Sequence, residues 1–570
     1  MKKIYTILTL IGLFYATSCS EDFIDTEILY EVAVDNFYDS PEEIEQAISG
    51  IYFAQYGSSA FGNELLISNI LSDMMFGGGG TNDINVKNVD AFLDPTEDTY
   101  QEMWITSYNG IVRANTLIER VEALDFKTFF DTQAEADALK NKALGEAHFM
   151  RAIFYFKLAK FFGGVPLILK IDDARDVPRS SYSDTFAVIA SDLQRAIGLL
   201  PATNITASDP SEYGHATKWA AEAYMARVYL FYTGYMTNIE NQPTSDLPLI
   251  DGGSITKAQA ISYLDDCIAN SGHALLDDFR SLWPYSHLNQ SAGTVVLPWA
   301  DSEGLTWAGQ DGPVTPHGTG NLETMFSVRY AFGDWTNGNA RSNWAVLFQG
   351  IRGNPSFLPF GQGWGWCTVN TNLWDQWDDT DPRKEGSILE VNNPDQATDG
   401  YQGSKGDHET GFFNKKYTPL RHGGSEGEIG MFNYVYDITA GFGADFQLRH
   451  AQDFITMRYA DVLLMHSELS ETATGMNQVR ARAGLPIIGY SLEALKEERL
   501  HEFSFEGLRW FDIVRWGDVN TAFDNETPVN NEDGPGTYRV NYRSEIKGLL
   551  PIAESEIRLS NGVYEQNPGW

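Results

Sequence analysis

The chain has 570 residues, 43% hydrophobic and 21% charged, with 78 acidic against 40 basic residues and a formal net charge of −38. A chain of that length can bury a large core without disulfide or metal staples, and length alone would allow about four domains. A field of that sign repels nucleic acid and anionic membrane surfaces, so nucleic acid is set aside as a partner and a neutral ligand is the easier one.

Lys2 and Lys3 precede an apolar run from Ile4 to Tyr15, followed by Ala16-Thr17-Ser18-Cys19. A positive start, an apolar run and small residues before a cut read as a secretory signal peptide over 1–18. A cysteine directly after the small residues resembles a bacterial lipobox, with Cys19 becoming the lipidated first residue. Several acyl chains on one cysteine anchor stably, whereas one is marginal. An ordinary signal peptide with an incidental cysteine is the alternative. Residues 19–40 are acidic and mixed and read as a tether. No later stretch approaches the ~18 apolar residues of a membrane span. Cys267 and Cys367 have no metal-ligand spacing, and Cys267 lies in a helical pattern as a small buried hydrophobe.

Ser40-Pro41-Glu42-Glu43 opens a helix to about Tyr56, with Ser as cap and Glu43 completing a capping box. Residues 57–95 read as irregular apart from an apolar piece, Leu65–Leu71, and the glycine run from Phe76 to Gly80 excludes regular structure there. A binding loop and a flexible connector both fit that segment. Helices follow at Asp98–Leu124 and Ala134–Phe162, the second apolar on two sides and stopped by Gly163-Gly164 with Pro166 beyond. Tyr182–Leu200, Thr217–Gly234 and Thr256–Ser271 continue the series, which resumes at Thr456–Ser470, Gly475–Ala483 and Ser491–Phe505. Helix pairs separated by short breaks describe a mainly α, tetratricopeptide-like α–α solenoid. The scaffold therefore spans about 41–272 and 452–507 within one domain, 41–570, split by an irregular block over 273–451. The tail from Gly548 reads as short turns and extended chain.

Between Trp283 and Trp377 the chain places nine of its fourteen tryptophans, set among Gly, Asn, Pro and Ser. Glycine-rich sequence reads as loop, and loops carry function. A ring on a loop offers a stiff, flat face with a polar handle, suited to the C–H surface of a sugar. An irregular core beneath long loops would give the same composition. Candidate stacking platforms are Phe76, Trp283, Tyr285, Trp299, Trp307, Trp335, Trp364 and Trp366. Candidate hydroxyl partners are Asp73, Asn82, Asp83, Asn337, Asn339 and Arg341.

Catalytic and metal motifs are sparse, and the sequence calls for no cofactor. Gly423-Gly424-Ser425-Glu426-Gly427 matches G-x-S-x-G but lacks the strand and helix that a nucleophile elbow needs. Asp378-Asp379-Thr380-Asp381 breaks off into Pro382 and reads as a turn before a helix, not as a calcium loop. Glu498, Glu502 and Glu506 recur on one helix face beside Arg499 and Arg509. They read as a structural ion-pair network, with a hydrolase acid and base as the alternative.

Several separate stretches resemble the SusD/RagB-like nutrient-binding lipoproteins. They are Cys19-Ser20-Glu21-Asp22; Tyr108-Asn109-Gly110-Ile111; Gly145-Glu146-Ala147 with Arg151-Ala152; Phe162-Gly163-Gly164-Val165-Pro166-Leu167; Arg458-Tyr459-Ala460-Asp461; Glu498-Arg499 through Arg515-Trp516-Gly517; and Gln566-Asn567-Pro568-Gly569-Trp570. The resemblance implies a tetratricopeptide-like scaffold with no catalytic activity. It implies an outer-membrane, surface-exposed lipoprotein that captures glycan and sits as a hinged lid on a SusC-like TonB-dependent transporter. Family ligands include starch, fructans, xyloglucan and host glycans; a fructan is the expectation here, although no residue carries it. The binding loops vary within the family, so the site residues above are matched by region and chemistry alone.

Overall fold

The computed structural model describes residues 37–57, 59–93, 98–174, 176–286, 304–309, 321–331, 341–352, 360, 362–393, 406–420, 447, 450–524, 526–531 and 534–570. Cys19, Trp299, Trp335, Asn337, Asn339 and Ser425 lie outside them.

The first helices are α1 (Pro41–Phe53), α2 (Glu64–Ile70), α3 (Gln101–Ala123), α4 (Gln133–Phe162), α5 (Tyr182–Leu199), α6 (Lys218–Asn238) and α7 (Lys257–Asn270). A short helix α8 (Trp344–Gln349) sits in the middle region. Then follow α9 (Tyr459–Ser470), α10 (Thr474–Arg482), α11 (Leu492–Glu502) and α12 (Arg509–Trp516). Their starts are set by side-chain caps on the orphan N–H groups of the first turn. Thr132, Ser181, Thr217 and Ser491 each accept from the third residue of the helix they open, and Thr256 forms a full capping box with Gln259. At the far end of α4, Gly163 takes φ +80° and donates to Ala159, closing the helix where a side chain would be strained.

From α3 to α7 each helix packs on the next, which is the solenoid. α4 lies between α3 and α5, and nearly all of its residues from Ala143 to Phe162 are buried. Its two apolar stripes thus face two neighbours. After the middle region the chain returns to the same layer: α9 packs on α7 and α12 packs on α6. Helix α12 carries the helical layer past Phe505 to Trp516. Residues from Ala47 onward form one compact unit.

Two segments differ from expectation. The glycine run is regular structure: Met75–Gly78 is a strand, β1, and Ile84–Asp90 is a helix. Long-range pairing overrides the low strand propensity of glycine here. The tail also holds a helix, Glu554–Leu559, among its turns. Three further strands matter below: β2 (Thr324–Val328), β3 (Trp366–Val369) and β4 (Phe454–Arg458). β2 pairs antiparallel with β4 and so ties the middle region to the start of α9.

The row of glutamates on and after α11 is the hub of a buried ion-pair network. Glu498 pairs with Arg383 (2.6 Å) and Arg480 (2.9 Å); Glu502 pairs with Arg383 (3.0 Å), Arg458 and Arg482; Glu506 pairs with Lys416 and Arg458 (both 2.8 Å). Burial pushes the Glu502 carboxyl up, but the guanidiniums of Arg482, Arg458 and Arg383 outweigh it and hold it well below the usual carboxylate range. Asp381 accepts from the backbone N–H of Arg383 (3.0 Å), so the Asp378–Asp381 run is a turn capping the helix Pro382–Ser387. Cys267 is fully buried on α7.

Candidate functional site

The loop at 73–83 and the tryptophan-rich block meet through one strand pair. β1 runs antiparallel to β3 with Met75 opposite Val369, Phe76 opposite Thr368 and Gly78 opposite Trp366. The pairing ends in a tight turn whose glycines are required by what they touch. A Cβ on Gly79 would stand 2.9 Å from the Trp366 ring, and one on Gly80 would stand 2.2 Å from the Arg352 guanidinium. The absent side chains let an indole and a guanidinium lie directly on the backbone.

Charged groups clamp this turn. Asp83 accepts from the Gly80 N–H (2.6 Å) and lies 3.6 Å from Arg352. Arg352 also donates to the Trp364 carbonyl (3.0 Å). Lys87 donates to the Gly80 carbonyl (3.2 Å) and pairs with Asp407 (2.5 Å).

Beneath β1 lies a polar group that holds the strand from below. Asp90 accepts from the Gly77 N–H (2.8 Å) and the Tyr538 hydroxyl (2.6 Å), while His408 accepts from the Gly78 N–H (3.2 Å) and stacks on Tyr538 at 3.9 Å. Burial pushes the Asp90 carboxyl up to about 7 and Glu526 up to about 8. Both folded-state values lie above the unfolded ones. The proton held in the fold therefore stabilises it fully below about pH 4, and this contribution is lost as pH rises through about 7 to 8. Thermal melting is expected to fall across that window, and Asp90→Asn, which cannot ionise, should flatten part of the slope. An unchanged slope in Asp90→Asn would show that Asp90 does not titrate there.

Next to this framework is a cluster of rings. Phe348 lies 4.3 Å from Trp366 and 5.9 Å from Trp344, and Phe61 lies 5.7 Å from Trp366. Trp344 and Leu347 form the buried floor, with Phe348 and Trp364 packed against it. Trp366 is nearly covered, whereas Phe61, Phe348 and Trp364 are partly exposed. The indole N–H groups of Trp344 and Trp366 have no partner among the described residues. Thr81 and Asn82 are exposed beside the turn, and Asp83 and Arg352 are half-buried. Flat apolar faces with hydroxyl partners at the edge suit a neutral, ring-shaped, hydroxyl-rich ligand. At the opposite end of β1, Asp73 pairs with Arg509 (2.8 and 2.6 Å) at a polar cleft of about 400 Å³ that also includes Asn370, His501 and Glu526.

Four expected platforms are core residues instead. Phe76 is fully buried, edge-on to His408 and Tyr538. Trp283 is fully buried against Phe279 and Tyr417, with the Lys416 ammonium 5.0 Å from its ring. Tyr285 is fully buried and donates to the Gly386 carbonyl (2.7 Å), and Trp307 is buried. Their Gly- and Pro-rich surroundings signal irregular backbone, which is a different property from exposure. Of the remaining candidates, Asn82, Asp83, Trp364 and Trp366 come together at the turn, Asp73 lies at the cleft, and Arg341 is exposed with its carbonyl accepting from Ala331 (2.8 Å). No local sequence signal points to Phe61 or Arg352, and Phe348 is not among the rings expected from sequence. The spacing of Trp344 and Phe348, four apart on one helix face, is the signal that could have found it.

One group among the described residues has metal-ligand chemistry: Glu146, Glu212 and His215, with ligand atoms within 4.8 Å of one another. Protein groups already occupy it. Glu146 accepts from the Tyr52 hydroxyl (2.6 Å) and bonds His215 (2.8 Å), while Lys142 pairs with Glu212 (2.9 Å).

Comparison with known proteins agrees with this architecture. Residues 22–230 match a family described as starch-binding and associating with the outer membrane, and residues 368–570 match the SusD family. The chain belongs to the SusD-like, SusD/RagB family. A SusD-like protein of Bacteroides ovatus is 24% identical over 90% of this chain and 83% of its own length. Among solved structures, a laminarin-binding SusD-like protein superposes with a TM-score of 0.68 at 22% identity, covering 94% of this chain and 100% of that one. Surface glycan-binding protein A from Bacteroides thetaiotaomicron, solved with laminarihexaose, gives 0.66 at 21% identity over 92% and 99%. No helix among the described residues is long and apolar enough to cross a membrane.

Proposed function

We propose that this chain is a cell-surface glycan-binding lipoprotein that captures oligosaccharide or polysaccharide at the β1–β3 face. It delivers the glycan to a SusC-like TonB-dependent outer-membrane transporter, for which it acts as the hinged lid. The observation that carries the reading is the partly exposed ring cluster of Phe61, Phe348 and Trp364, set over Trp366 and edged by Asn82, Asp83 and Arg352. A neutral sugar offers no charge to exploit, so stacking and hydrogen bonds must supply its affinity, and this face presents both. Under the same reading residues 1–18 are removed, Cys19 carries the lipid anchor, 19–40 tether the protein and 41–570 are a single domain. No catalytic step is included: Glu498, Glu502 and Glu506 are nearly fully buried and each is held by guanidinium or ammonium groups.

No residue supports the fructan expectation. The names of the two structural neighbours make laminarin oligosaccharides the first ligands to try, with inulin as the fructan control. Incubation of the purified protein with each should give binding without new reducing ends. Steady release of reducing ends would transfer the function to a glycoside hydrolase. In cells, Cys19→Ala should release the protein from the membrane fraction, and its retention there would contradict the anchor.

A further inference from the structure

The turn Ala60–Gly62 contributes Phe61 to the aromatic face and Gly62 to a separate, partly open cavity with about 50 Å³ of inner space. That inner space admits a few water molecules or a ligand of a few heavy atoms. Its walls include the rings of Tyr224, Phe326, Tyr330 and Phe454, with Lys157, Asn63, Gln55 and Thr456 among the polar groups. Every other charge on the wall has a counter-ion: Lys160 pairs with Glu64 (2.6 Å), Arg227 with Asp461 (2.5 Å), and Glu506 with Lys416 and Arg458 (both 2.8 Å). Lys157 does not. It is 8% exposed and makes no hydrogen bond or ion pair with any described residue. An unpaired ammonium in such a place is costly unless a ligand satisfies it. Burial pushes its pKa down, which Glu64 and Glu102 offset only in part. Asn63 presents a second donor. Its Oδ1 accepts from the Leu66 N–H (3.1 Å) in capping α2, so its Nδ2 is turned the other way and reaches only the Tyr330 hydroxyl, at 3.5 Å.

We propose that this cavity binds a short monocarboxylate of one or two carbons, one oxygen on Lys157 Nζ and the other on Asn63 Nδ2, with any methyl group against the Phe326 and Phe454 rings. Two separate donors fit the two oxygens of a carboxylate, and the aromatic wall fits its carbon end. The site is distinct from the proposed glycan face and does not depend on it.

The test is thermal melting of the mature protein in sodium acetate against sodium chloride at equal ionic strength, with line broadening of carbon-13 acetate as a second readout. Acetate should raise the melting temperature saturably, by ~2 °C at a hundredfold excess over its Kd. Lys157→Met, which keeps the side-chain length and removes the charge, should abolish both the shift and the broadening. Asn63→Asp keeps the helix cap and sets a carboxylate in the donor's place; it should abolish them too, and it decides the question alone if Lys157→Met does not fold. Equal stabilisation by chloride, or acetate binding that persists in the variants, would overturn the proposal.

Discussion

Replacing Arg458 by alanine is expected to lower the stability of the protein by about 3–5 kcal/mol, the usual cost of leaving buried partners uncompensated. Arg458 is 2% exposed and donates to Glu323 (2.7 Å), Glu506 (2.8 and 2.9 Å), the Glu502 carboxylate and the Glu502 carbonyl (2.8 Å). Glu323 and Glu502 are fully buried, so bulk water does not solvate them in the intact fold. Arg482 also holds Glu323 and Glu502, and Lys416 holds Glu506, so the remaining network is weakened and unevenly charged without being emptied. The loss should appear in chemical denaturation as a lower midpoint with the same slope. Because Arg458 ends β4 and leads into α9, the damage falls where the middle region joins the helical layer. A loss below about 1 kcal/mol, the range of surface pairs, would show that the network does not brace this junction.

Trp283→Ala should cost a similar amount, about 3–5 kcal/mol, for a different reason: it opens a large cavity among Phe279, Tyr417 and the Lys416 ammonium. Glycan affinity of the folded fraction should be unchanged. Weakened binding with an unaltered melting temperature would return Trp283 to the list of ligand-facing rings. The same pair of measurements on Trp307→Ala checks the second buried tryptophan.

The helical scaffold was legible because its signals are local. Apolar spacing and caps such as Thr132, Thr217 and Ser491 mark helix starts within a few residues, and the buried second half of α4 follows from its two stripes. The acidic row from Glu498 to Glu506 was readable as an ion-pair network because arginines stand beside it, although its main partners, Arg383 and Arg458, are distant in sequence. The strand at Met75–Gly78 was not legible. Its partner lies nearly three hundred residues away, and four residues containing two glycines carry no strand signal of their own. The ring cluster was legible only in outline. Composition located a tryptophan-rich block, but whether a ring faces solvent depends on what packs over it, and Trp283, Tyr285 and Trp307 have the same kind of neighbours in sequence as Trp364. Phe61 and Phe348 join the face through tertiary contacts that no local pattern reports.

The proposed glycan-binding role stands or falls with the rings at the β1–β3 turn. The decisive measurement is calorimetric titration of laminarihexaose, and of inulin oligosaccharides beside it, into the wild-type protein and into Trp364→Ala and Phe348→Ala variants whose melting temperatures are recorded in parallel. Loss of a true stacking platform typically costs ~2 kcal/mol, or about thirtyfold in affinity. The wild type should bind at least one of these neutral glycans, and each variant should stay folded while binding it about thirtyfold or more weakly. Undiminished binding by both folded variants would place the glycan site elsewhere on the molecule and contradict the β1–β3 face as the binding surface.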